Sequence, residues 1–338
     1  GEKLPEDSVR PVLAVVGPTA SGKTRLSLEL AERLNGEIVS ADAMQVYRGM
    51  EIGTAAPTPE ERGRAPHHLV SLLSPDTLMA AGRFQKEARD CVRDIQARGR
   101  TALVVGGSGL YVRALLDGLF EGPGRDEALR ALLREEAERL GNAALMARLR
   151  AVDPDYAAML SSENDVVRVV RALEVHALTG IPYSRLHAAH KERPDRIPAL
   201  RIGVAPPRDA LYDRINRRVD EMVAAGWVDE VRALLAAGHE GHLERIKALG
   251  YREIAAHLRG EQSLEEAVEA VKLHHRRYAR RQLSWFRADK RVVWMDPSDG
   301  PAAVDAVRAR WARFLEQETV PEGEGEGGGG DGGPLPQQ

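Results

Sequence analysis

A single cysteine, Cys91, stands in a chain of 338 residues. With no second thiol, a disulfide within the chain is excluded, and so is a zinc site built from cysteines. One free thiol suits a reducing compartment, and a cytoplasmic location is expected. No apolar run comes near the roughly 20 residues that span a bilayer, so no membrane role is expected. The first ten residues are charged and hold no apolar segment of a secretory signal. Excess charge of either sign is also missing: 48 Lys and Arg face 51 Asp and Glu, a formal net charge of −3. Global charge therefore does not mark a nucleic-acid binder, and any such surface must come from local clustering. No internal repeat is evident. The chain is long enough for a full α/β core with an added subdomain.

The most informative stretch is Gly17-Pro18-Thr19-Ala20-Ser21-Gly22-Lys23-Thr24. The apolar run Pro11 to Val16 before it reads as a buried parallel strand, and the amphipathic run Thr24 to Leu34 after it as a helix. Strand, G-x-x-x-x-G-K-T and helix form the context in which this motif binds phosphate. Its glycines let the backbone wrap closely round an anion. Successive N–H groups and the helix N-terminus point at the phosphate oxygens. Lys23 adds a mobile positive charge, and Thr24 can offer its hydroxyl to a Mg²⁺ ion bridging the phosphates. The motif calls for a phosphate or diphosphate and leaves open which bond is broken.

A second strand, Gly36 to Ser40, runs into Asp42. Ligands of open parallel sheets sit beyond the carboxyl ends of the strands. There Asp42 can be a general base, a metal ligand or a helix N-cap. Gly49 to Pro66 reads as a loop, and His67 to Leu73 as a strand. His67 and His68 point to opposite faces of such a strand and are read as loop-edge polar residues rather than ligands. Ala81 to Arg98 is helical by period, with Gly99 as its stop. The strand Thr101 to Val105 ends in Gly106-Gly107-Ser108-Gly109. An ordinary P-loop ATPase would place an Asp here to hold Mg²⁺. Its absence argues against activation of water on ATP and leaves room for a substrate close to the backbone. Ser108 can hydrogen-bond that substrate or cap the helix from Leu110 to Leu116.

From Gly122 to Pro198 the strand signal disappears, and helices are expected at Asp126–Leu140, Ala143–Ala151, Pro154–Leu160 and Val166–Leu178. Arg168 and Arg171 share one helix face, either solvated or on phosphates. The α/β pattern resumes with the strand Leu200–Val204 and a helix from Asp209 to Ala225. Arg214 and Arg218, one turn apart on it, can clamp a phosphate or pair with Asp213, Asp220 and Glu221. The longest helix starts at Ser263, where Ser263 and Glu266 have capping-box spacing, and runs to about Asp289. It carries Lys272, His274, His275, Arg276, Arg277, Arg280, Arg281 and Arg287, interleaved with Tyr278, Gln282, Trp285 and Phe286. Basic residues track a nucleic-acid backbone, while aromatics and Gln can meet unstacked bases. A strand, Arg291–Trp294, and a helix, Ala302–Glu318, complete the core. The Gly/Glu-rich tail is expected to be disordered. The chain therefore divides into a P-loop core over 10–122 and 199–318, a helical insertion over 123–198 and a tail over 319–338. The fold class is α/β, a P-loop NTPase-like parallel sheet.

Six segments in this order resemble the bacterial tRNA dimethylallyltransferase family, also called isopentenyl-tRNA transferases. They are GPTASGKT (17–24), SADAMQVYRGMEIGTA (40–55), VGGSGLYVRALL (105–116), RALEV (171–175), KALGYREI (247–254) and RRQLSWFR (280–287). The resemblance implies transfer of a dimethylallyl group from dimethylallyl diphosphate to N6 of the adenosine just 3′ of the anticodon, position 37, in tRNAs reading codons that begin with U. It implies Mg²⁺ as cofactor and Asp42 as general base. It further implies tRNA contacts at Asp42, Ala43, Met44 and Gln45, at Val167, Arg168, Val169, Val170 and Arg171, and at Lys247, Ala248, Leu249, Gly250, Tyr251 and Arg252. The last such segment is Arg280, Arg281, Gln282, Leu283, Ser284, Trp285, Phe286 and Arg287. The family often has Thr where this chain has Ser108, and Ser keeps the hydroxyl. In this reading Gly17 to Thr24 hold the diphosphate, while Lys23 and Arg218 stabilise the charge growing on it. Ser108 bonds near the bridging oxygen or the amine, and Gln282 with the nearby arginines reads the opened anticodon loop of the tRNA anticodon stem-loop. A monomer is expected. A small-molecule P-loop kinase and a non-catalytic RNA-binding module are the competing readings.

Overall fold

The computed structural model of the chain describes residues 9–118, 123–124, 126–191 and 196–319. Among the described residues the first part of the core comprises β1 (Val12–Val16), α1 (Lys23–Arg33), β2 (Gly36–Ser40), α2 (Pro59–Arg64), β3 (His67–His68), α3 (Ala81–Ala97), β4 (Thr101–Gly106) and α4 (Gly109–Leu116). Five helices follow: α5 (Glu127–Leu140), α6 (Asn142–Val152), α7 (Pro154–Met159), α8 (Val166–Thr179) and α9 (Tyr183–Lys191). The core resumes with β5 (Ala199–Val204), α10 (Arg208–Ala224), α11 (Trp227–Ala236), α12 (Glu240–Ile246), α13 (Tyr251–Leu258), α14 (Leu264–Ala288), β6 (Val292–Met295) and α15 (Pro301–Thr319).

The strands form one sheet in the order β3-β2-β4-β1-β5-β6, and every pair is parallel. All carboxyl ends therefore open onto one rim. β1 is central, and its side chains alternate between two apolar layers. Val12, Ala14 and Val16 face a core with Phe84 of α3, Leu115 of α4 and Trp227 of α11. Leu13 and Val15 face Leu30 of α1 and Val307 and Trp311 of α15. Burial on both faces explains why the strand is an unbroken apolar run.

Three local readings change. The strand expected over His67–Leu73 is only two residues long. Leu69 and Ser71 take left-handed backbone angles (φ 62° and 50°), which end extension. The loop expected over 49–66 contains α2, started by a Thr58–Glu61 capping box. No helix is expected between Leu178 and Pro198, and α9 lies there. The Ser263–Glu266 box does start α14, with both reciprocal bonds formed. The glycine-rich tail from Glu322 and the boundary at 122 lie outside the described residues.

Helices α5 to α9 pack round an apolar cluster of their own that includes Leu133, Leu149, Val169 and Leu173. Beside it lies Glu174, which is fully buried. Its carboxylate accepts bonds from Arg130 (2.9 Å), Arg171 (2.7 Å) and the Asp126 N–H (2.8 Å). Burial pushes this carboxyl up, but the bonds from Arg130 and Arg171 outweigh it and hold it at about 2. A carboxyl depressed on folding stabilises the fold above its unfolded-state value of about 4.3 and loses that contribution as pH falls toward the folded value. Glu174→Gln is therefore expected to cost about 3 kcal/mol at pH 7. Its unfolding curves should also vary less than those of the parent between about pH 4 and pH 2.

Candidate active site

Three loops, those after β1, β2 and β4, meet at the carboxyl rim of the sheet. The loop after β1 is a tight anion-binding turn: Ala20 (φ 58°) and Gly22 (φ 97°) are both left-handed, and Gly22 is the N-cap of α1. Alternation of such residues with ordinary ones points successive N–H groups inward. The Lys23 ammonium lies across the loop and donates to the Pro18 carbonyl (2.9 Å). Burial lowers Lys23 to about 8; the Asp42 charge opposes that shift and Arg218 adds to it. Burial likewise lowers Arg218. Among the described residues neither Arg214 nor Arg218 forms an ion pair.

Asp42 follows β2. One carboxylate oxygen accepts from the N–H groups of Met44 (2.8 Å) and Gln45 (3.2 Å). The cap reading of Asp42 is thus realised on a turn rather than a helix, and the second oxygen has no protein partner among the described residues. Ser108 holds the N-cap position of α4 but makes no side-chain cap bond. Its hydroxyl accepts instead from the Ala43 N–H (2.9 Å), which ties the β4 rim to the Asp42 turn.

Lys23, Thr24, Asp42, Arg218, Tyr278 and Gln282 converge on a cavity of about 330 Å³. The rest of the lining mixes apolar or small residues, Met44, Ala55, Met222 and Leu249 among them, with polar ones such as Gln45, His67, Lys247 and Arg281. Such a space holds an anion against Lys23 and Arg218 with a short hydrocarbon beside it. Arg214 is not part of the lining; it sits over Gly22. Of the two arginines expected to clamp a phosphate, Arg218 lines the cavity and Arg214 lies against the phosphate loop. A second, open groove of about 990 Å³ runs between α14 and α7–α9, lined by Tyr156, Arg168, Tyr183 and Trp285 among others. Trp285 is 40% exposed there, and the Arg113 guanidinium stacks 4.9 Å from its ring centre. Arg281 lines both spaces.

The glycine-rich end of β4 serves the protein itself. A Cβ on Gly106 would strike the Ala41 backbone, one on Gly107 the Gln282 amide, and one on Gly109 the Trp285 ring. These glycines admit the neighbouring loop and α14, and Gly106 also lines the cavity. Gln282 is buried. Its carbonyl accepts from the Thr19 N–H (3.0 Å) and its amide donates to the Gly107 carbonyl (3.1 Å). Gln282, expected to read a base, braces the phosphate loop to β4 and also lines the cavity.

The IPP transferase family model matches residues 45–289, and an isopentenyl transferase model matches residues 10–70. A tRNA dimethylallyltransferase of Anaeromyxobacter sp. (strain K) is 53% identical over 299 residues, covering 88% of this chain and 96% of the relative. That of Geobacter metallireducens is 48% identical over 293 residues, covering 87% and 94%. The chain belongs to the IPP transferase family. The crystal structure of the tRNA isopentenylpyrophosphate transferase of Bacillus halodurans matches with a TM-score of 0.68 at 41% identity, over 92% of this chain and 98% of that one. A eukaryotic dimethylallyltransferase structure, at 24% identity and TM-score 0.71, shares the fold.

The tRNA-contacting segments implied by family resemblance divide by burial. Val167, Arg168, Lys247, Arg252, Arg280, Arg281, Ser284, Trp285 and Arg287 are exposed. Val169, Val170, Ala248, Gly250, Tyr251, Gln282, Leu283 and Phe286 are buried. Ala43, Met44, Gln45, Arg171 and Leu249 are intermediate. The Gln45 amide is engaged with the carbonyls of Thr54 (3.2 Å) and Ala55 (3.1 Å), and Arg171 with Glu174 and the Pro123 carbonyl. The basic helix splits likewise. Lys272 pairs with Asp220 and Glu269, His274 with Glu253, and Arg276 bonds Asn216. His275 is buried against Trp227 and pushed down to about 4, first by burial and then by Arg218. It is no part of a basic face. Sequence reasoning missed Arg113, Tyr156 and Tyr183; Arg113 sits inside the VGGSGLYVRALL segment and was the one within reach.

The lowered Lys23 makes a pH prediction. Its charge favours a bound diphosphate and is lost as pH rises through about 8. Affinity for dimethylallyl diphosphate, measured by calorimetry from pH 7 to pH 10, should fall above pH 8 by up to about tenfold per unit. Lys23→Met should bind more weakly throughout, with a flatter profile.

Proposed function

We propose that this IPP transferase transfers a dimethylallyl group from dimethylallyl diphosphate to the N6 amine of a tRNA adenosine. The observation that carries the reading is the pairing of two spaces at Arg281: a cavity with a cationic phosphate loop and an apolar wall, and an aromatic, basic groove large enough for RNA. The names of the relatives at 53% and 48% identity support the same reaction and do not favour a kinase. The acceptor is read as the adenosine 3′ of the anticodon, presented by the anticodon stem-loop lying in the groove. Trp285, Arg113 and Arg168 would meet its unstacked bases and phosphates.

The target base must leave its stack to reach Asp42. The N6 nitrogen then attacks C1 of the donor. The C–N bond forms as the C1–O bond to diphosphate breaks, and the bonding pair leaves with diphosphate. The unpartnered oxygen of Asp42 accepts one N6 proton. Lys23, Arg218 and the inward N–H groups of the phosphate loop face the charge developing on the leaving group. Mg²⁺ belongs to this proposal. The Thr24 hydroxyl, which lines the cavity at the start of α1, suits a hard cation. No group of three His, Cys, Asp or Glu ligands gathers among the described residues, so diphosphate and water would complete the shell, as is usual for Mg²⁺. When bound, the ion neutralises diphosphate charge.

The test is transfer of radiolabel from dimethylallyl diphosphate to unmodified tRNA. Label should enter the RNA, and be lost when the target adenosine is replaced by guanosine or Mg²⁺ is chelated. Asp42→Ala should lower turnover by about 10²- to 10⁴-fold while tRNA affinity stays within about twofold of the parent. Near-normal turnover would remove Asp42 from the chemistry.

A further inference from the structure

The loop from Met50 to Pro57 forms one wall of the cavity through Gly53, Thr54, Ala55 and Pro57. It has no regular secondary structure of its own, yet it is tied down at both ends. The half-buried Glu230 of α11 accepts from the N–H groups of Ile52 (2.8 Å) and Gly53 (3.1 Å). The Tyr251 hydroxyl donates to the same carboxylate (2.7 Å) and lies 3.0 Å from the Met50 carbonyl. Trp227 packs edge-on against Tyr251, and a Cβ on Gly53 would run into both rings. At the other end the Gln45 amide holds the Thr54 and Ala55 carbonyls. A carboxylate that gathers two adjacent N–H groups and a hydroxyl is a strong, directional anchor.

The wall belongs to the donor side. Thr54, Ala55 and Pro57 line the cavity but not the groove, whereas Arg281 lines both and so marks the end where RNA enters. Met222, Ile246 and Leu249 also line the cavity. We infer that Glu230, seated through Tyr251, is a positioning residue for the prenyl donor: it fixes the Met50–Pro57 loop as the wall against which the five-carbon chain of the donor packs. It touches neither the diphosphate nor the acceptor base. The inference rests on the transferase reading for the identity of the donor.

The experiment compares Glu230→Gln and Tyr251→Phe with the parent, using dimethylallyl diphosphate with Mg²⁺ in calorimetry without RNA, then transfer kinetics. A Gln side chain turns an amide N–H₂ toward groups that were donors to the carboxylate, so one backbone bond is lost. Glu230→Gln should raise the donor Kd and KM about tenfold, with kcat at saturating donor and the KM for tRNA within about twofold. Tyr251→Phe keeps both Glu230–backbone bonds and should raise donor Kd about threefold. Inorganic diphosphate, which lacks the prenyl chain, should bind both variants as it binds the parent. Unchanged donor affinity in a folded variant overturns the inference, as does an equal loss for inorganic diphosphate or a rise confined to the KM for tRNA. Should Glu230→Gln not fold, Tyr251→Phe carries the same comparison alone. The calorimetric arm involves no RNA, so a wrong acceptor shows as failed transfer with donor binding intact. A parent that binds inorganic diphosphate but not the prenyl donor overturns the transferase reading itself.

Discussion

The Gln282 side chain joins three parts of the chain that are far apart in sequence. Its carbonyl takes the Thr19 N–H of the phosphate loop and its amide holds the Gly107 carbonyl at the end of β4. A buried amide satisfied at both ends is strongly directional, because turning it would leave polar groups unpaired in a low-dielectric setting. The brace therefore fixes α14 across the carboxyl rim of the sheet. Everything that α14 brings to the site then has a defined place: Tyr278 one turn before, Arg281 beside it, Trp285 one turn after. Gly107 is a consequence of the same bond, since a Cβ there would collide with the amide. Ala20 of the loop packs with Ala279 and Leu283 of α14 and with Leu211 and Ile215 of α10, an apolar contact that seats the brace.

With its geometry fixed in this way, the site can hold charges that a looser structure would neutralise. Lys23 and Arg218 face one cavity, and burial disfavours the charge on both. Two unpaired cations near each other raise the energy of the empty protein, and an anionic ligand relieves that strain on binding. The rest of the molecule treats buried charge differently. Arg201 is clasped by Asp117 and Asp289, and Glu174 by Arg130 and Arg171. Completed pairs mark the scaffold, and the incomplete cationic set is where the proposed function puts the diphosphate.

The parts legible in the sequence are those whose physics is local. The left-handed Gly22, the buried run of β1 and the Ser263–Glu266 box each depend on residues a few positions apart. The sheet, the phosphate loop and the length of α14 follow from them. Long-range packing was not legible. Gln282, Gln45 and His275 carry side chains suited to reading bases, and nothing in their spacing says that a loop or an indole already occupies them. Of the basic residues on α14, Lys272, His274 and Arg276 serve neighbouring elements, because α10 and α13 supply Asp220, Asn216 and Glu253 opposite them. The strand expected after His67 fails for a local reason of another kind: left-handed angles at Leu69 and Ser71, which those residue types do not announce.

The proposed reaction puts a base, Asp42, and a leaving-group cation, Lys23, in one small cavity, which poses a final constraint. Asp42 and Lys23 are close enough for each charge to act on the other, and a direct ion pair would neutralise both. The backbone keeps them apart. Lys23 is drawn back onto the Pro18 carbonyl, and one oxygen of Asp42 is held by the N–H groups of Met44 and Gln45. The turn that orients Asp42 is in turn anchored on Ser108, through the Ala43 N–H. One carboxylate oxygen remains free beside a cationic wall that is not collapsed onto it. That separation of charge, maintained by main-chain groups on both sides, is what the proposed reaction requires: a carboxylate oxygen free to take a proton and a cation free to meet the negative charge of the leaving group.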